Sequence, residues 1–179
     1  RAKDLRQKPI HILGAQGRGT KPGGDFHVQH GNLGRVAGHY VGPRIFELAG
    51  VKHEDIDVTG CYDAFTYTVL LQLESYGWCK PGEGKDYVRS GVINLGGKIP
   101  NNTSGGHLCE AYTHGMNMVI ENVRQLRGTI DDYCPNAANG EHTYDYSEGG
   151  CRQVKDAETS MNMGWGTPAV GSALIMRRG

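Results

Sequence analysis

Glycine punctuates this chain so densely that few stretches are left to carry a core. Twenty-eight of the 179 residues are glycine, gathered at 14–34, 77–106 and 140–171. A residue without a Cβ serves tight turns and close backbone approaches, so these stretches read as loops laid against something. Periodic patterns mark the rest. Residues 10–16 form a short apolar run and read as a buried strand, and residues 56–59 alternate like a second strand. Over 43–50, Pro43 suits the first turn of a short helix and Gly50 its stop. Residues 64–76 set Phe65, Val69, Leu73 and Tyr76 on one helical face, with Asp63 placed to cap the start and Gly77 the end.

A further helix over 116–126 carries Met116, Val119, Ile120, Val123 and Leu126 at core spacing. Arg124, Arg127 and Gly128 close it, as the helix dipole favours. Residues 157–163 and 171–177 read as strands joined through 164–170 in a hairpin at a sheet edge. Residues 17–38 read as loop, 80–91 as a turn-rich excursion and 129–155 as a polar insertion without a period. Strands alternating with helices predict a layered α/β domain.

Charge excludes some functions. Nineteen basic residues balance nineteen acidic ones, so no global field favours nucleic acid or an anionic membrane. No stretch approaches the roughly 20 apolar residues needed to cross a bilayer, which predicts a soluble protein. Five cysteines, odd in number and without a C-x-x-C pair, suit reduced thiols in a cytosol, so a cytoplasmic location is expected. The opening Arg1 and the segment after it, which lacks a signal-peptide core, read as a start inside a longer polypeptide. Residues 17–24 miss the terminal G-K-[ST] of a phosphate loop. His27, His30 and His39, and likewise Cys134, His142 and Cys151, lack a metal site's spacing, so no metal is expected.

Three motifs point to chemistry. Gly60-Cys61-Tyr62-Asp63-Ala64-Phe65 runs from strand into helix, a turn that projects a side chain at the top of a sheet beside free helix N–H groups. Asn102-Thr103-Ser104-Gly105-Gly106 leads through His107, Tyr112 and His114 to Gly115, and its glycines admit a ligand close to the backbone. Met163-Gly164-Trp165-Gly166 precedes the last strand, where the Gly164 and Gly166 amides are candidate donors to a developing oxyanion.

In this order and spacing the three motifs resemble the N-E-A-F, N-x-S-G-G-x-x-x-x-G-H-P and C-x-G-G-G signatures of the thiolase superfamily. Residues 73–84 and 123–128 resemble its lipid-transfer-protein branch. The resemblance implies a C-terminal thiolase-fold domain over 1–179, with a mixed five-stranded sheet and helices on its faces. The N-terminal half of the parent protein would lie outside this chain. The departures carry as much meaning as the matches. Tyr62 stands where thiolases hold Asn or His, Tyr112 stands where they hold the general-base His, and Asn162 or Met163 replaces the proton-shuttling Cys.

Paired tyrosines resemble the thiolase-like aldolases of steroid side-chain degradation, which work with a DUF35-type OB-fold partner. The implied reaction is retro-aldol cleavage of a β-hydroxyacyl-CoA, with Tyr62 and Tyr112 catalytic in roles the sequence does not divide. Asp63, Asn102, His107 and His114 would support them. Coenzyme A enters as the substrate's thioester, with no covalently bound cofactor, and a homodimer is implied. The alternatives are thiolase acyl transfer with His107 or His114 as base, and a non-catalytic scaffold binding acyl-CoA or lipid. An isolated half-site is expected to be inactive.

Overall fold

The computed structural model describes residues 4–17, 36–130, 152–167 and 170–179; the expected loop at 17–38 and insertion at 129–155 lie largely outside these. The elements run β1 Ile10–Gly17, α1 Gly38–Ala49, a 3-10 turn His53–Asp55, β2 Val58–Cys61, α2 Thr66–Ser75, α3 Gly84–Arg89, α4 Gly106–Cys109, α5 Met116–Arg127, β3 Thr159–Thr167 and β4 Val170–Arg178. The sheet order is β1-β4-β3-β2. The β1–β4 and β3–β4 pairs are antiparallel and β2–β3 is parallel, so the α/β fold with a mixed sheet stands.

Strand alternation sorts the core onto two faces. Met161, Met163, Ala173 and Ile175 point to the side where α1 and α2 bury Val41, Ile45, Phe46, Leu73 and Tyr76. Val58 and Met176 point to the side where α5 contributes Leu126. Gly50, Gly77 and Gly128 follow the ends of α1, α2 and α5 at φ of 64°, 84° and 67°, a region that favours glycine.

Several expectations are corrected. Four strands are present among the described residues, not five. Beside β2, where a fifth would lie, Asn101 makes a single parallel bridge to Thr59. Pro100 has no N–H to extend a ladder, and Asn102 turns away at φ 50°, so pairing stops there. The β3–β4 hairpin is central rather than at an edge, because β2 pairs on one side of it and β1 on the other. Strand β1 is an outer strand, and its Ile12 is 65% exposed, so it is not buried. Strand β2 begins two residues later than its alternation indicates, and α1 begins before Pro43, which lies inside the helix. The stretch read as turns contains α3.

The largest correction concerns α5. Met116 and Ile120 are 55% and 46% exposed, while Glu121, Asn122 and Gln125 are buried beside Met118 and Leu126. A paired network makes that burial possible. Glu121 Oε1 accepts from Arg152 Nε at 2.7 Å and from Thr103 Oγ1 at 2.8 Å. Gln125 Nε2 donates to the Arg152 carbonyl at 2.7 Å, and Gln125 Oε1 accepts from Val154 N at 2.7 Å. These bonds tie α5 to the 103 loop and to the returning chain at 152–154.

Candidate active site

The site starts where the pairing beside β2 stops after the Thr59–Asn101 bridge. With its partner ladder cut short, Cys61 is paired by a side chain. Asn102 Oδ1 accepts from Cys61 N at 2.8 Å, and Asn102 Nδ2 donates to Cys61 O at 2.9 Å. Asn102 is thus a surrogate strand for the backbone leading into Tyr62, and its amide is occupied there. The next residue is fixed from three sides. Tyr62 N donates to Met163 O at 2.9 Å, and Tyr62 O accepts from Gln72 Nε2 at 2.7 Å and Thr68 Oγ1 at 3.2 Å. A buried Tyr62 ring therefore leaves the end of β2 with little freedom.

The second motif folds over that ring. Asp63, expected to cap α2, turns to α4 instead, where its carboxylate accepts from His107 N at 2.9 Å. The N-cap of α2 is Phe65, which is exposed. A Cβ on Gly106 would lie 2.2 Å from Asp63 Oδ2, so the capping contact requires glycine there. Gly115, at φ 89°, leaves 3.2 Å between a hypothetical Cβ and the Tyr62 ring, which lets the chain cross the aromatic edge.

The two motif tyrosines meet, with Tyr62 Oη and Tyr112 Oη hydrogen-bonded at 2.5 Å. Tyr62 is buried and Tyr112 is 60% exposed. Burial pushes the Tyr62 phenol well above its ordinary range, and the bond to Tyr112 and the charges of Tyr112 and Asp63 add to the rise. At neutral pH Tyr62 keeps its proton. Two imidazoles complete an aromatic cluster. The His107 ring lies 4.6 Å from that of Tyr62 and 5.1 Å from that of Tyr112, and the His114 ring lies 4.6 Å from Tyr112. His107 is buried, and neither of its ring nitrogens has a hydrogen-bond partner among the described residues.

Tyr62 lines two cavities. One, of about 360 Å³, is lined by Gly60, Tyr62, His114, Met118, Asn162 and Gly164 among others. The other, of about 440 Å³, is lined by Tyr62, His107, Tyr112, Trp165 and Gly166 among others. The glycine pair divides accordingly. Gly164 stands opposite Ser172 within the β3–β4 ladder, whereas Gly166 falls at the irregularity between Trp165 and Thr167 and has no partner in the register. Of the two, Gly166 has the backbone less committed to the sheet. Asn162 and Trp165 also line the site, although the sequence reading named Asn162 only at the position of the proton-shuttling Cys and Trp165 only within its motif. For Asn162 the signal is the period-2 alternation of β3, which puts it and Gly164 on one face. Among the described residues no cluster of three or more His, Cys, Asp or Glu is placed to hold a metal ion, and no helix is long and apolar enough to cross a membrane.

Comparison with known proteins bears on this geometry. The 17-hydroxy-3-oxo-4-pregnene-20-carboxyl-CoA lyase of Mycobacterium tuberculosis is 41% identical over 132 residues, covering 72% of this chain and 34% of that protein. The steroid side-chain-cleaving aldolase of Thermomonospora curvata is 42% identical over 135 residues, with the same coverage. A solved structure described as an Ltp2-ChsH2(DUF35) aldolase superposes with a TM-score of 0.80 at 32% identity, covering 99% of this chain and 41% of that one. The chain thus spans about a third of the length of these curated relatives. A family model, Thiolase C-terminal domain-like, matches residues 24–150, and with the three motifs assembled around one tyrosine pair, the chain belongs to that family.

Proposed function

We propose that this chain supplies the tyrosine-bearing half of a carbon–carbon lyase active site that cleaves β-hydroxyacyl-CoA thioesters by a retro-aldol reaction. The observation that carries the reading is the 2.5 Å hydroxyl-to-hydroxyl bond between Tyr62 and Tyr112 beside the Gly166-lined cavity. It supports a division of roles. Tyr112, the exposed phenol, takes the β-hydroxyl proton and passes its own proton across the short bond to Tyr62. Tyr62, which holds its proton strongly, delivers it to the α-carbon. The O–H electrons become the new C=O bond, the Cα–Cβ pair passes to the thioester enolate, and the enolate takes up the delivered proton. Nothing is oxidised, and no free coenzyme A is consumed. Both phenols begin and end neutral.

Asp63 and Asn102 support this relay by fixing backbone, while His107 and His114 pack against the phenol rings. A donor on β3, the strand that carries the glycine turn, stabilises the enolate oxygen. The likeness to the two steroid aldolases supports a steroid or related lipid acyl group, and the Ltp2-ChsH2(DUF35) likeness supports a DUF35-type OB-fold partner. The rest of the site comes from further chain, for which exposed Phe65, Leu108, Met116 and Ile120 provide an apolar surface to cover. Homodimerisation and a cytoplasmic location complete the proposal.

The test uses the full-length polypeptide that carries this chain, with its OB-fold partner. Supplied with a β-hydroxyacyl-CoA and no added coenzyme A, it releases a carbonyl product and a shorter acyl-CoA. Thiolysis of acetoacetyl-CoA in place of that cleavage identifies an acyltransferase, and binding without turnover identifies a scaffold; either result overturns the reading.

A further inference from the structure

Among the described residues, five buried side chains hold polar atoms without a hydrogen-bond partner: Gln72, Trp78, His107, Ser160 and Asn162. Gln72, Trp78 and Ser160 line neither cavity, and His107 belongs to the tyrosine cluster. Asn162 differs from all of these. It is 7% exposed, lines the cavity on the α5 side of the sheet, and leaves Nδ2 unpaired.

Neighbouring bonds dictate which way its amide faces. Asn122 Nδ2 approaches the Met161 carbonyl at 3.4 Å, and a carbonyl can only accept. The same Asn122 Nδ2 lies 3.1 Å from Asn162, so Asn162 must turn its oxygen to it. Its NH₂ group is therefore presented on the other side. Gly60 keeps that side open, since a Cβ there would stand 2.7 Å from Asn162 Nδ2. A buried amide donor is rarely left without an acceptor, and here the space is lined by Tyr62 and Gly164.

We propose that the Asn162 side-chain amide is an oxyanion donor, which binds the thioester carbonyl oxygen of an acyl-CoA in this cavity and holds the negative charge when that oxygen becomes an enolate. The assignment rests on the lyase reading for the purpose of the enolate but not for the binding of the carbonyl. It gives β3 an enolate donor that Gly164, committed to the ladder, does not supply. It also divides the substrate, with the hydroxyl end toward Tyr112 and the thioester end toward Asn162, on either side of Tyr62. Asn122 is a positioning residue that aims the amide.

Asn162→Asp tests this, because it keeps the oxygen that Asn122 bonds and removes only the N–H donors. In the full-length protein with its partner, kcat for β-hydroxyacyl-CoA cleavage is expected to fall about 10²–10³-fold with KM little changed, the usual loss for one oxyanion donor. Propionyl-CoA labelled with ¹³C at the carbonyl supplies a readout independent of cleavage. Its resonance is expected to move downfield on binding to the wild type, to revert toward the free value in Asn162→Asp, and to move part of the way in Asn122→Leu. Asn162→Leu, matched in branching, guards against an effect of the introduced carboxylate and is expected to behave as Asn162→Asp does. No shift in the wild type overturns the proposal, as does a shift or a kcat in both Asn162 variants equal to that of the wild type. A wild type that polarises propionyl-CoA yet cleaves no β-hydroxyacyl-CoA keeps the oxyanion donor and discards the lyase reading.

Discussion

On one side of the sheet, α1 and α2 bury Val41, Ile45, Leu73, Met161 and Ile175 in an apolar cluster, while buried Thr68 and Gln72 of α2 bond the Tyr62 carbonyl. On the other side, α5 buries Glu121, Asn122 and Gln125, and the charge it hides is matched by Arg152 at 2.7 Å. The apolar side is held by burial, which scales with area and has no preferred direction. The polar side is held by bonds that fix orientation, and the cavity with Asn162, Gly60 and Tyr62 opens on that side. Positional accuracy for chemistry thus comes from directional bonds, those of α5 on one side and those of Thr68 and Gln72 to Tyr62 on the other, and the apolar cluster anchors them.

Removing one partner should separate the faces most clearly. Glu121→Ala leaves Arg152 without its carboxylate and is expected to cost about 3–5 kcal/mol in urea unfolding, whereas replacing both residues with apolar ones of similar size should restore most of the loss. Leu73→Ala, on the apolar face, should cost about 2–5 kcal/mol, and there no second substitution of that kind repairs the cavity. If the Glu121/Arg152 double variant stays as unstable as Glu121→Ala, the two faces do not differ in the way proposed.

The same contrast explains what the sequence disclosed. Leu73 and Tyr76 lie where helical spacing puts them, because an apolar stripe and an apolar core are the same signal. The reading of α5 fails for the converse reason. Its stripe of Met116, Val119, Ile120 and Val123 is partly exposed, while the residues that face inward are Glu121, Asn122 and Gln125, whose burial depends on Arg152, Thr103 and Val154 arriving from elsewhere in the chain. No local pattern announces those partners. Tyr62 and Tyr112 are 50 residues apart and meet because the motif order carries the topology with it. Asp63 and Asn102, polar residues within the motifs, were legible as important but not as what they are, a cap for α4 and a substitute for a missing strand.

Gly106→Ala probes the hinge between cap and site. The residue sits at φ 65°, and its methyl would press on Asp63, so a loss of roughly 2 kcal/mol is expected together with reduced turnover. A variant with unchanged melting and activity would show that the Asp63 contact does not hold the loop. Smaller still is the effect of Tyr76→Phe on the apolar face, where the phenol donates to Ser172 O at 2.7 Å. About 1–2 kcal/mol should disappear, as for one buried hydrogen bond whose acceptor is left behind.

Alkali should act on the apolar face first. Burial, with Glu74 and Glu83 adding, pushes the Cys79 thiol from its ordinary 9.0 up to about 11, and Cys61 and Tyr76 are pushed up by burial too. The folded chain keeps these protons where the unfolded chain loses them, so their stabilising contribution is complete below pH 9 and declines as pH rises toward 11. Alkylation at pH 8 should label exposed Cys109 well before Cys79, and Cys61 only on unfolding. Equal labelling of all three would contradict the burial on which the pH dependence depends.

The most direct test of the central claim is a double-mutant cycle on turnover in the full-length protein, with Tyr62→Phe, Tyr112→Phe and the pair. A relay that shares one proton path loses its function when either hydroxyl goes, so the double variant should be about as slow as the slower single one. Losses that multiply, or a single variant with full activity, would mean that the two phenols touch without acting together.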